Sequence, residues 1–213
     1  LTLTLASPLD EATGVAPAAN LTFTFSAPIQ RGTGTITLKT TAGVVFETFD
    51  AASSSALSIS GNTLTINPTK DLGIFTNYAV DIPSGAVKDS NGTSYAGLSN
   101  YNFRTATVDS LYNFFVVAFS AAPGATYMGD LAEAYNYGMT VQEIVEVFTA
   151  KPQFTDTYPL SMTNSQFATA LVNNVVKSSV SDAVKAQGVN DVLGALDFGW
   201  SRGRTIYQVF GNL

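Results

Sequence analysis

The side chains that carry most enzyme chemistry are missing from this sequence. Among 213 residues there is no Cys and no His. That removes thiolate nucleophiles and zinc–thiolate sites. Ser–His–Asp triads and His-ligated metals go with them. What remains is carboxylate, Lys, Tyr and Ser chemistry, and oxygen ligation of hard cations such as Ca²⁺. The nearest approach to a calcium loop is Lys88-Asp89-Ser90-Asn91-Gly92-Thr93-Ser94. Asp89 and Asn91 stand at i and i+2 before a turn glycine, and Asp81 is the nearest helper in sequence. An EF-hand loop closes on a late bidentate Glu, which is absent here. The segment reads as a polar turn whose side chains bond their own backbone, and no cofactor is expected. Carboxylates recur three residues apart at Asp130/Glu133 and Glu143/Glu146. Glycoside hydrolysis needs two such groups converging at about 5–10 Å. Pairs along one helix read instead as a solvated face, so the chain is expected not to be an enzyme.

The aromatic residues offer a better lead. Tyr127, Tyr135, Tyr137, Trp200 and Tyr207 crowd the second half of the chain. Aromatic faces serve as platforms for sugar rings and protein partners, and as core. Trp200, Arg202, Arg204 and Tyr207 form the candidate contact surface. Two arginines at the start of the last helix sit against its dipole, which marks that place for attention.

Charge sets the outer bounds. Ten basic and sixteen acidic residues give a net charge of −6, and only 12% of residues are charged. Nucleic-acid binding needs a basic stripe, and a membrane-surface helix needs a polybasic one. Neither partner is expected. The longest apolar stretch, Phe114 to Phe119, is far too short to cross a bilayer. The chain opens abruptly on an alternating Leu-Thr segment, so it is expected to be an internal piece of a longer protein.

The elements that would position these residues change character near residue 107. Before it, apolar and polar residues alternate with period 2, as in LTFTF (21–25), TGTITL (33–38), TLTIN (63–67), YAVDI (78–82) and YNFRT (101–105). Breakers such as Ser7-Pro8, Ala27-Pro28 and Asn67-Pro68 separate the strands, and Gly61-Asn62 signals a two-residue hairpin. Seven or eight short strands predict a β-sandwich. From Asp109 the period becomes 3.6, with Leu111, Phe114, Phe115, Ala118 and Phe119 on one helix face. Pro123-Gly124 is expected to end that helix. Thr140/Glu143 and Thr163/Gln166 read as capping boxes. Further helices are expected over 179–187, 190–198 and 201–210, giving six or seven in all. The fold class is thus multidomain: an all-β sandwich over 1–107, then an all-α domain over 108–213. Gly138-Met139-Thr140 returns as Gly199-Trp200-Ser201, and Phe148 and Phe210 close the helices that follow. The pattern suggests a two-fold internal repeat whose register drifts by a residue or two.

The first half resembles the bacterial Ig-like domain of S-layer and large surface proteins. The resemblance rests on Ser7-Pro8, Leu21 to Ser26 with Pro28, Gly32 to Ile36, Leu64 to Ile66 with Pro68, Gly85 to Asp89, Asn91-Gly92 and Phe103-Arg104-Thr105. The second half resembles a duplicated helical domain of secreted calcium-binding repeat proteins, adhesins and S-layer proteins. Leu111-Tyr112, Phe114-Phe115, Leu131 through Gly138, Thr140 to Phe148 and Phe154 carry that likeness. Where that pattern has a Gly-Arg pair after the first helix of each half, Phe119-Ser120 and Lys177-Ser178 stand here. The resemblance implies a non-catalytic, extracellular or cell-surface bacterial protein acting in an S-layer or adhesin. Its implied partners are other copies, surface proteins or cell-surface polysaccharide, and it leaves calcium to the parent protein. The rival expectations are a polysaccharide-binding anchoring module and an accessory region of a secreted hydrolase.

Overall fold

The computed structural model describes residues 1–210, with side chains through Gln208. The packing of the Phe210 side chain lies outside the described residues. The chain divides into two compact units at Ala106/Thr107.

In the first unit, alternating apolar residues build two main sheets. One has the order β1 (Leu3–Ser7), β3 (Leu21–Phe25), β8 (Thr63–Ile66), β7 (Leu57–Ser60). The other has the order β2 (Ala12–Val15), β11 (Leu98–Thr105), β9 (Asn77–Ile82), β5 (Thr35–Thr40), β6 (Val45–Asp50). A third, two-stranded ribbon pairs β4 (Ile29–Arg31) with β10 (Val87–Asp89). The period-2 pattern puts Leu21, Phe23 and Phe25 into the core from one sheet. Tyr78, Val80 and Ile82 enter from the other. Their inner faces meet edge-on, with the Phe23 and Tyr101 rings 5.1 Å apart at 74°. The outward threonines pair across strands, as Thr24 and Thr63 do through their hydroxyls at 3.1 Å. Gly61-Asn62 turns β7 into β8 with Ser60 opposite Thr63. β2, β4 and β10 escape the sequence reading because three or four residues show too little alternation to count.

The second unit holds α1 (Asp109–Phe119), α2 (Ala125–Asn136), α3 (Val141–Phe148), α4 (Pro152–Thr155), α5 (Asn164–Val176), α6 (Asp182–Asp197) and α7 (Arg202–Phe210). Two expectations about helix ends are corrected here, and α4 is an addition. Ser120 ends α1 in the left-handed conformation, with φ 51°, ahead of Pro123-Gly124. Pro152 opens the short α4 at its first position, where a missing N–H costs nothing. The helices expected over 179–187 and 190–198 are one, α6. Gly188 is interior to it and faces Val172 on α5, where an added Cβ would make an ordinary contact at 3.4 Å. The helix runs through this glycine without a break.

The helices form two groups of three, α1–α2–α3 and α5–α6–α7, with α4 between. Both first helices end on a non-glycine residue of positive φ, Ser120 at 51° and Lys177 at 47°. Both second helices end in the same way. Gly138 and Gly199 have φ of 98° and 99°, a conformation that glycine adopts without penalty. The Met139 amide reaches back to Ala134 at 3.2 Å and the Trp200 amide to Ala195 at 3.1 Å. The connecting loops, 120–124 and 177–181, match in length, but α2 has 12 residues and α6 has 16. That extra turn of four residues is larger than the drift of a residue or two read in the sequence.

Candidate functional site

The Thr140/Glu143 box forms as expected: Glu143 Oε2 accepts from the Thr140 amide at 2.8 Å, and Thr140 Oγ1 accepts from the Glu143 amide at 3.2 Å. The Thr140 amide chiefly, with the Thr140 hydroxyl, which donates to the same oxygen at 2.8 Å, holds the Glu143 carboxyl below its ordinary range. Glu146 instead accepts from the Ser201 hydroxyl at the start of α7. α7 lies close against α3 at this point, because a Cβ on Gly203 would stand 2.8 Å from Glu146 Cα. Both carboxylates of this candidate pair are thus engaged in helix ends and helix packing.

The acidic candidates of the first unit are engaged too. Asp89 Oδ1 accepts from the Asn91 amide at 2.9 Å and the Thr93 amide at 2.8 Å. The Thr93 amide, chiefly, lowers the carboxyl's pKa. Asp89 and Asn91 therefore make a self-bonded turn. Asp81, on β9, is ion-paired with Lys39 of the adjacent β5. Among the described residues no group of three acidic side chains converges.

The turn between α6 and α7 assembles Trp200 to Tyr207, but not as a free surface. The Arg202 guanidinium donates to the carbonyls of Tyr158 and Pro159, each at 3.0 Å, and to that of Met162 at 2.9 Å. It also lies 4.6 Å from the centroid of the Phe167 ring. Burial pushes its pKa below the usual guanidinium value. Arg202, named in the expected contact surface, is half-buried and clamps the α4–α5 loop. Its neighbour Tyr158 anchors the same region: its hydroxyl donates to Ala118 O at 2.8 Å and accepts from Asn174 at 3.0 Å. Arg204 does face outward, stacked 4.4 Å from the centroid of Trp200. Trp200 and Tyr207 are half-buried.

Sequence reasoning missed two features of the helical unit. Phe198, absent from the aromatic leads, is 82% exposed, like Tyr137, which is among them and is 83% exposed. Each immediately precedes its turn glycine, Gly199 and Gly138, so the shared turn motif held the signal. The second feature is an apolar groove of about 290 Å³ between α2 and α3. Leu131, Met139, Val147 and Phe148 line it together with Asp130 and Lys151.

No curated protein matches the chain. Among solved structures, the crystal structure of CopC from Methylosinus trichosporium OB3b aligns at 17% identity with a TM-score of 0.38. The alignment covers 49% of this chain and 91% of that one. No helix among the described residues is long and apolar enough to cross a membrane. Residues 1–105 match the family model described as bacterial Ig-like domain, which identifies the N-terminal unit, with its two packed sheets, as an Ig-like module of that family.

Proposed function

We infer that this chain is a structural or adhesive segment of a bacterial cell-surface protein, of the S-layer or large-adhesin kind, working through contact. The observation that carries the reading is the match of residues 1–105 to the bacterial Ig-like domain. The helical unit supports the reading, because its two three-helix groups repeat the same turns and leave large aromatics exposed. A sequence without Cys or His fits binding better than catalysis.

The test is protease shaving of intact cells of the source bacterium, followed with an antibody against this chain. The signal should appear on intact cells and vanish after external protease, while a cytoplasmic marker survives. A signal found only after lysis would refute the surface reading. Polysaccharide anchoring is the second reading, favoured by Phe198, Tyr137 and the Arg204-capped Trp200. Glycan-array binding that is lost on substituting these rings would establish it.

A further inference from the structure

The two three-helix groups differ at one matched place. Met139 and Trp200 follow the turn glycines Gly138 and Gly199 with the same backbone geometry. In the second group the large Trp200 ring fills this position beneath the Arg204 guanidinium. In the first group the smaller Met139 lines an open apolar groove together with Lys151. One group thus has an aromatic ring under a cation, and the other has the hollow and the cation without the ring.

The same unit also carries a ring without a hollow. Phe198 is 82% exposed, and unlike Tyr137 it has no hydroxyl to hydrate. Leaving a whole phenyl ring in water is unfavourable, and covering it is a strong source of contact energy. The charges match as well. Asp197 precedes Phe198, and Arg204 caps the same turn. The groove presents Lys151 and Asp130, the opposite signs.

We propose that the groove between α2 and α3 receives Phe198 of a second copy of this chain. Asp197 then faces Lys151, and Arg204 faces Asp130. The inference rests on the structural reading above and gives that reading its contact. Each copy carries both knob and hollow, so the same contact closes reciprocally into a two-fold pair or extends head-to-tail into a row.

Sedimentation velocity of the whole chain, from micromolar to millimolar, tests this. Wild type should associate with rising concentration. Phe198→Ala removes the knob, and Met139→Trp fills the hollow. Each should weaken association by at least about tenfold while unfolding thermally like wild type. Val147→Arg, at a half-exposed rim position, blocks the groove should the tryptophan disturb packing. The decisive arm mixes Phe198→Ala with the groove-blocked variant. One supplies the hollow and the other the knob, so the mixture should form dimers that grow no further.

A mixture that stays monomeric overturns the proposal. So does a wild type that is monomeric at millimolar concentration, or association lost with Tyr137→Ala and kept with Phe198→Ala, which puts the contact on the other turn. Association that survives every variant rejects this contact and leaves the surface reading intact. A chain absent from the shaved surface fails the surface reading instead.

Discussion

Two arginines do the work of loop anchors. Arg31 donates to the carbonyls of Ala51 at 3.2 Å, Ser54 at 3.0 Å and Leu57. Arg202 does the same for the α4–α5 loop. A guanidinium suits this role because its planar fork reaches several carbonyls at once and keeps its charge when partly buried. The sequence displayed the misfit of cations at the start of a helix, but not its cause. Its cause lies in carbonyls some forty residues away, which no local pattern shows. Arg202→Ala is expected to cost the helical unit about 2–4 kcal/mol, since three charged hydrogen bonds and a ring contact go together. Arg202→Lys should restore only a minor part, because one ammonium cannot span the three acceptors. Thermal unfolding of both variants measures this, and a change within ~0.5 kcal/mol, the usual size for surface sites, would return Arg202 to the surface.

At the scale of elements, the legible parts were those encoded by near neighbours. Alternation placed the long strands, and hydroxyl–acid spacing placed two capping boxes. What stayed illegible depended on distant partners. Gly188 looks like a breaker, yet α6 runs through it with Val172 of α5 beside it. The short strands β4 and β10 exist because they have each other. The candidate site divided in the same way: Trp200 and Arg204 could be read from type and spacing, whereas the groove exists only once α2 and α3 are packed. The two boxes also make a natural pair for a pH experiment, because one closes on Glu143 and the other on Gln166. A carboxyl whose folded pKa is depressed adds stability above its unfolded pKa. That contribution is lost as pH falls through the folded value. Wild type should therefore exceed Glu143→Gln in melting temperature at neutral pH and converge with it in acid, below the ordinary glutamate range. Melting curves across that range check this, and a constant offset would mean the box owes nothing to charge. Gln166→Glu should bring the same pH sensitivity to α5.

For the whole molecule, the central feature is two units with separate interiors. The core of the first is built from Phe23, Phe25, Ile36, Val80 and Phe103. That of the second gathers Leu111, Val145, Phe154, Phe167 and Leu171, all buried. Each is large enough to unfold cooperatively on its own. Residues 1–106 alone should give β-type circular dichroism and a single sharp transition. In the full chain, Arg202→Ala should move only the helical unit's transition. A molten or insoluble N-terminal half would refute separate cores.

The extra turn of α6 reaches furthest in its effects. Four residues lengthen a helix by about 6 Å and rotate its end by about 40° relative to a strict copy. The turn bearing Phe198 is therefore out of step with the turn bearing Tyr137. A partner that fitted one turn would meet the other displaced and rotated, so the two turns are not interchangeable as surfaces. A near-copy thus gives this chain two different faces instead of one face twice.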